Sequence, residues 1–388
     1  MRVLTLFGTR PEVIKLAPVI RALEAAGEFT TVNVHSGQHE SLAQPFVEAF
    51  GIRVDHDLRV MRPCQSPSDV CSRVLDALHG VLVREAPDAI LVQGDTTTAL
   101  AGALSAFHTR IPVGHVEAGL RSGDDLSPHP EEMNRRLITR LATWHFAATE
   151  LNRENLLREG VADSHIFVTG NPVVDSVQRV HERLRPGRAL QRVQAEMRHS
   201  RILVLTTHRR ESFGEAMMEN LRVLRRFVDE HPDVGLVFPV HPNPTVVSAA
   251  RSVLSDHPRV LLIEPLGYED FIALLSAAWL VVSDSGGVQE EAPSVGRPLL
   301  ILRENTERPE AVSSGVARLV GGCPERLAAM LEEAASPGSW AETAGTVANP
   351  FGRGDAGIII ARTLRGLLRG RSEPRAYAPE VGPTPEDS

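Results

Sequence analysis

Short apolar runs recur along the chain, and each is followed by a longer stretch whose apolar positions return at helical spacing. Val3–Phe7 predicts a buried strand, and Pro11 fits the first turn of a helix running to about Ala26. Further strands are predicted at Thr31–Ser36, Ile90–Gln93, Val113–Glu117, His145–Ala148 and Ile166–Thr169, with helices at Ala77–Glu85, Thr97–Phe107 and Glu131–Leu141. The pattern then restarts. Ile202–Thr206, Gly235–Val240, Val260–Ile263, Leu280–Ser283 and Leu299–Leu302 predict strands, separated by helices at Ala216–His231, Tyr268–Ala277 and Val288–Val295. Apolar runs spaced by helices are the mark of parallel sheets covered on both faces. Two such series predict an α/β protein of two Rossmann-like, doubly wound domains facing a central cleft.

The expected boundaries are 1–169 for the N-terminal domain and 170–354 for a C-terminal, nucleotide-binding domain. A terminal helix at 355–370 packs back on the first domain, and 371–388 is a disordered, proline-bearing tail. The seam falls near Gly170–Arg201, with Pro186–Gly187 as a surface connector.

Composition narrows the function. Aromatic residues are only 4%, too few for the stacking platforms of single-stranded nucleic-acid binders. A net charge of −8 argues against broad attraction to nucleic acid or anionic lipid. Cys64, Cys71 and Cys323 form no CxxC pair, so neither a disulfide framework nor a cysteine-rich zinc site is expected. The first apolar run is too short for a signal peptide and no run is long enough to span a membrane, which places the protein in the cytoplasm. Of 41 basic residues a single one, Lys15, is lysine. A compact ammonium where every other cation is a planar fork points to one tight site.

In doubly wound sheets ligands bind outside the carboxyl ends of the strands, so the residues just after each strand carry the chemistry. After the first strand come Arg10 and Lys15, at the start of a helix whose amides favour an anion. After Leu280–Ser283 comes Asp284-Ser285-Gly286-Gly287, a small-residue turn suited to a diphosphate, with Glu290 or Glu291 as a ribose ligand and Arg308 after the next strand. Asp95, after Ile90–Gln93, is either a helix cap or a cleft carboxylate. Glu117 ends a buried strand, where a carboxylate needs a reason. Glu131 and Glu132 either favour a helix start or add acids to the cleft, and His208, Arg209, Arg210 and His241 follow strands of the second half. Carboxylates and a histidine around a cleft lined by anion donors are the requirements of proton transfer. No HxxxH or HExxH spacing points to a metal, and no Gly-x-Ser-x-Gly elbow points to a serine hydrolase.

The blocks GTRPEVIKLAP, SGQH, GDTTTALA, IPVGHVEAGLRSGD, PEEMNRR, TGNPVVD, THRRESFG, PVHPNP, DSGGVQEEAPSVGRP and ERPEAV stand in this order over about residues 1–370. Together they resemble the non-hydrolysing UDP-N-acetylglucosamine 2-epimerase family. The resemblance implies a GT-B arrangement, a homodimer, no cofactor and no metal. It implies reversible epimerisation at C2 between UDP-GlcNAc and UDP-ManNAc, by elimination of UDP to 2-acetamidoglucal and re-addition. Asp95, Glu117 and Glu131 would then move protons, and His208 would assist UDP departure. Arg10, Lys15, Phe271, Ser285, Gly286, Gly287, Glu291 and Arg308 would bind substrate. Rival readings are a hydrolysing epimerase that releases ManNAc and UDP, a GT-B glycosyltransferase, and a non-catalytic sugar-nucleotide sensor.

Gln38, His39, Arg209 and His241 match a regulatory site at which family members bind a second UDP-GlcNAc. Here Glu40 and Ser41 stand where basic or amide groups are frequent, and an acid there repels a second diphosphate. The initial rate is therefore expected to follow a hyperbola in UDP-GlcNAc concentration. A sigmoidal curve, with a reverse reaction that needs added UDP-GlcNAc, would refute this.

Overall fold

A computed structural model describes residues 1–370 except 39, 184–186, 199 and 208–213, with the backbone alone at 40–42 and 188–189. The expected tail at 371–388 lies outside the described residues, as do His39, His208, Arg209 and Arg210. The chain divides into two compact units. The first is Met1–Pro172 together with the helix Ala356–Arg369, and the second is Val173–Gly354.

The first unit is built on seven parallel strands: β1 Arg2–Phe7, β2 Thr30–His35, β3 His56–Asp57, β4 Ala89–Gln93, β5 Val113–Ala118, β6 Trp144–Ala147 and β7 Ile166–Val168. Their spatial order is β3-β2-β1-β4-β5-β6-β7. The second unit has β8 Arg201–Thr206, β9 Val234–Pro239, β10 Val260–Ile263, β11 Leu280–Ser283, β12 Leu299–Ile301 and β13 Ala317–Leu319, in the order β10-β9-β8-β11-β12-β13 and again parallel. Each order reverses between its first and fourth strands, the Rossmann switch point outside which ligands bind. That point lies between β1 and β4 in the first unit and between β8 and β11 in the second.

Strand β1 shows why both sheet faces are dry. Val3 and Phe7 enter the core shared with the helix Arg10–Ala25 and the terminal helix, whereas Leu4 and Leu6 enter the core on the other face with Val74, Leu78 and Ala103. The second unit repeats this with Leu203, Leu205, Leu236 and Leu280 packed against Leu224, Phe227 and Leu331.

The structure holds more elements than the apolar pattern predicts. The helix expected from Ala77 begins at Pro67, where Ser66 and Asp69 close a capping box. Helices at Glu40–Phe50, Glu150–Arg158, Pro244–Leu254 and Pro324–Ala335, and the strands β3 and β13, are additional. The stretch expected as a connector carries two helices, Pro172–Glu182 and Arg188–Glu196, and the amide of Gly187 donates to Asp270 at 2.8 Å.

The terminal helix docks on Arg10–Ala25 by burying Ile360, Ala361 and Leu364 beside Leu16 and Ile20. The approach is close enough that a Cβ on Gly357 would meet the Pro18 carbonyl oxygen at 2.6 Å and its carbon at 2.8 Å. That neighbour is backbone and cannot swing aside. Gly357→Ala is expected to destabilise the first unit by about 1–3 kcal/mol, the usual cost of overpacking. A thermal melt of the variant that matches wild type would show that the helix is not seated this tightly.

Candidate active site

Glu117 sits where the β5–β6 ladder slips. His115 pairs with His145 and Val116 with Phe146, but the next pair is Ala118 with Ala147, so Glu117 is an extra residue in the strand. Its φ is +65°, a left-handed backbone that a glutamate rarely adopts. Bulges re-aim side chains, and such strain costs of order 1–3 kcal/mol unless the surroundings compensate. Here they do. The 6% exposed carboxylate receives the ammonium of Lys15 on Oε1, the amide of Asn171 on the same oxygen at 2.9 Å, and the amide of Gln93 on Oε2 at 2.5 Å. These partners are all donors, which is what an ionised carboxylate requires. Gln93 ends β4, Lys15 lies on the helix after β1, and Asn171 follows β7, so the sheet itself assembles the clamp.

Next to Gln93 the chain turns through Gly94, at φ +70°, where a Cβ would lie 3.5 Å from Glu117 Oε2. The Gly94 carbonyl accepts from His115 Nε2 at 2.7 Å. Burial pushes the His115 imidazole down to a pKa of about 3, so the ring is neutral and carries its proton on Nε2. The turn delivers Asp95. The cap of the helix Thr97–His108 is Thr96, whose Oγ1 accepts from Ala99 N at 3.0 Å, so the capping alternative for Asp95 is removed. The Asp95 carboxylate instead receives Arg135 Nη1 at 2.6 Å, and its carbonyl receives Asn134 Nδ2 at 2.8 Å.

Arg135 and Asn134 belong to the helix Glu131–Leu141, which begins as expected. Its two leading acids divide. Glu132 is fully buried and accepts from Ser122 N at 3.0 Å and from Arg135 Nη2 at 2.7 Å, so it positions the arginine. Glu131 is half-buried, and its carboxylate makes no hydrogen bond or ion pair with the described residues. Thus Asp95, Glu117 and the helix of Glu131 come together at the carboxyl ends of β4 and β5. Arg10 is exposed with its guanidinium 5.6 Å from the Phe46 ring centre, and Gln38 accepts from Thr98 Oγ1 at 2.7 Å.

Sequence reasoning missed the holders Gln93, Asn171 and Arg135, and also Glu12. The Glu12 carboxylate is fully buried and accepts from Gly8 N, Thr9 N, Thr9 Oγ1 and Thr96 Oγ1 at 2.7–2.9 Å. Burial outweighs these hydrogen bonds and pushes its pKa up to about 7.

In the second unit the turn after β11 is built on hydroxyls. Thr206 and Ser283 are bonded at 2.6 Å, Ser285 N donates to Ser283 Oγ at 2.9 Å, and Thr207 Oγ1 donates to the buried Asp284 at 2.7 Å. Gly286 and Gly287 follow, and Gly287 leads into the helix Val288–Ser294. Glu290 is fully buried and takes Arg308 Nε at 2.5 Å, while Glu291 is 8% exposed. Arg308 also reaches Glu307 at 3.4 Å, and Arg303 grips Glu307 at 2.8 and 2.9 Å. Burial pushes the Glu307 carboxyl up, but the hydrogen bond from Arg303 and the charges of Arg308 and Arg303 overcome it and hold the pKa at about 2. Phe271 is half-buried on the helix Tyr268–Ala277, and the exposed His241 accepts from Asn243 N at 3.2 Å. Among the described residues no three His, Cys, Asp or Glu side chains cluster as a metal site, and no helix is long and apolar enough to cross a membrane.

Two switch-point sheets with acids at one and small, hydroxyl-bearing turns at the other define a double Rossmann-like α/β protein of the GT-B class. A family model described as UDP-N-acetylglucosamine 2-epimerase matches residues 21–365, and the chain belongs to that family. The UDP-N-acetylglucosamine 2-epimerase of Salmonella typhimurium is 43% identical over 370 residues, covering 94% of this chain and 98% of that relative. The crystal structure of UDP-GlcNAc 2-epimerase from Neisseria meningitidis bound to UDP-GlcNAc superposes with a TM-score of 0.87 at 39% identity, covering 94% of this chain and 100% of that one. The Methanocaldococcus jannaschii UDP-GlcNAc 2-epimerase in complex with UDP-GlcNAc and UDP has a TM-score of 0.80 at 34% identity, with 94% and 100% coverage.

The buried Glu12 gives stability a pH signature. Its folded pKa, about 7, is above the 4.5 of an ordinary glutamate in the unfolded chain, so the folded state binds the extra proton between those values. Its contribution to stability is complete below about pH 4.5 and is lost as pH rises to about 7. Glu12→Gln is expected to remove this slope. The stability difference between variant and wild type should change by about 3 kcal/mol in the variant's favour across that window. Urea melts of both proteins at pH 5 and pH 8 measure it, and parallel pH profiles would show that Glu12 does not titrate there.

Proposed function

We propose that the chain interconverts UDP-GlcNAc and UDP-ManNAc without hydrolysing either. The observation that carries this reading is the strained Glu117 carboxylate, clamped by three donors beside an Arg135-bound Asp95 in a chain of the 2-epimerase family. The C2–H of an N-acetylhexosamine has no adjacent carbonyl, so direct deprotonation is too costly. Departure of UDP solves this. The C1–O bond breaks with its electron pair going to the diphosphate, and positive character at C1 acidifies C2–H. A carboxylate takes that proton, and the C–H pair becomes the C1–C2 double bond of 2-acetamidoglucal. Re-addition of UDP at C1, with a proton delivered to the other face of C2, gives the epimer. The electron count closes within the sugar and its leaving group.

The work falls to acids on both faces of the ring, drawn from Asp95, Glu117 and Glu131. Glu117 and Asp95 rest against cations and enter as acceptors. Glu131, without such a partner, is suited to give and take a proton as the reaction reverses. Lys15 holds the Glu117 charge in place and, by the family resemblance, serves the diphosphate as well. Arg10, Ser285, Gly286, Gly287, Glu291, Arg308 and Phe271 bind the nucleotide, and His208 assists its departure. The protein works in the cytoplasm as a homodimer, with no cofactor or metal.

Incubation with UDP-GlcNAc in heavy water, followed by proton NMR, is expected to show UDP-ManNAc with deuterium at C2 and no free UDP matching sugar turnover. Unlabelled sugar, or UDP released in step with free ManNAc, would sink the reading. Asp95→Asn, Glu117→Gln and Glu131→Gln should each lower kcat by about 10²–10⁴ while UDP still binds. A variant with near-normal turnover removes that residue from proton transfer.

A further inference from the structure

Glu12 is a fully buried acid that the proton-transfer scheme does not use. Its hydrogen bonds divide between its two oxygens. Oε2 accepts from Gly8 N at 2.9 Å and from Thr9 N and Oγ1 at 2.8 Å, all in the turn after β1. Oε1 accepts from Thr96 Oγ1 at 2.7 Å, across 84 residues of chain.

The first set caps the helix Arg10–Ala25. Capping needs nothing more, and capping carboxylates are ordinarily left at the surface, where no charge has to be buried. The bond to Thr96 is additional, and Thr96 is the chain neighbour of Asp95. The Thr96 hydroxyl gives its one proton to Glu12 and accepts from Ala99 N at 3.0 Å, so its direction is fixed from both sides. We propose that Glu12 is a positioning residue for Asp95, fastening the turn after β1 with one carboxylate oxygen and Thr96 with the other. It rests on the reading of Asp95 as a proton-transfer group. Asp95 is then held at three points: Thr96 along the chain, Asn134 on its carbonyl, and Arg135 on its carboxylate. Without the Glu12–Thr96 bond the cap, the Asn134 bond and the arginine contact remain, but the residue next to Asp95 is no longer braced against the turn after β1. Misplacement by a fraction of an ångström costs catalysis and leaves binding alone.

The test is a cycle of Glu12→Gln, Thr96→Val and the double variant, with kcat, KM and thermal midpoint measured for UDP-GlcNAc conversion. Thr96→Val also strips a helix cap, so Thr96→Ser, which keeps the hydroxyl, is the control. Each of the first two should lower kcat about ten- to a hundredfold with KM within about twofold of wild type. The double variant should be no slower than the slower single, Thr96→Ser should stay near wild type, and Glu12→Gln added to Asp95→Asn should cost nothing further. Losses that multiply, a loss confined to KM or thermal midpoint, or a further loss in the Asp95→Asn background would overturn the proposal. Wild type assayed alongside for C2 deuteration separates the two layers. If wild type does not exchange, the reading of Asp95 falls and the proposal with it; if wild type exchanges and the cycle fails, only the role of Glu12 falls.

Discussion

A carboxylate placed on a left-handed backbone inside a parallel sheet is the constraint around which the first unit is arranged. Glu117 bulges out of β5 at φ +65°, and neither its strain nor its charge is tolerable in isolation. A buried, unmatched anion would destabilise the fold by several kcal/mol. The surrounding residues follow from that. Gly94 supplies the left-handed turn at φ +70° beside Glu117, Gln93 and Asn171 turn their amides inward at strand ends, and Lys15 brings a positive charge from the neighbouring helix. A buried ion pair adds little net stability compared with apolar residues of the same volume. What it provides is a fixed position for the charge, which is what chemistry at a sugar ring requires.

The second unit solves a related problem with a chain of charges. Arg303, Glu307, Arg308 and Glu290 alternate in sign, and each side chain is largely buried. Glu307 lies between two arginines, and their charges hold its carboxyl at a pKa of about 2. Arg308 is tethered at both ends, by Glu290 on the helix Val288–Ser294 and by Glu307 next to it in sequence. The loop after β12 is thereby tied to the turn after β11, the two segments in which sequence reasoning placed the nucleotide contacts.

Strands were most legible where they are short, continuous apolar runs, and the predicted spans Val260–Ile263 and Leu280–Ser283 coincide with the observed ones. Helices fared worse where the apolar stripe is thin. Glu150–Arg158 reads ELNRENLLR, and what starts it is the Thr149 hydroxyl accepting from Asn152 N. Pro67–Glu85 likewise opens on a capping box of small polar residues, ten positions before its apolar periodicity becomes obvious. In the site, the acids were legible from their places: Asp95 just after β4, Glu117 near the end of β5 and Glu131 at a helix start. Their holders were not. Lys15, Gln93 and Asn171 are 102, 24 and 54 residues from Glu117, and nothing local in the sequence marks them as one clamp. Glu132 and Glu131 are neighbours of identical type, and only their places on the helix decide that one is buried on Arg135 while the other stays half-buried without it.

The lone lysine follows from the same geometry. Two buried arginines each serve two acids. Arg135 sends Nε and Nη2 to Glu132 and Nη1 to Asp95, and Arg308 spans Glu290 and Glu307. A planar fork with five donors suits that bridging. At position 15 the demand differs. The side chain is 8% exposed, it rises from a helix packed against the sheet, and the Glu117 oxygen it meets is already bonded to Asn171. A compact ammonium meets a single carboxylate oxygen there, whereas a guanidinium would present a planar fork of three nitrogens. Across a chain that otherwise uses arginine throughout, lysine persists where a point charge has to fit beside a carboxylate already crowded by neighbours.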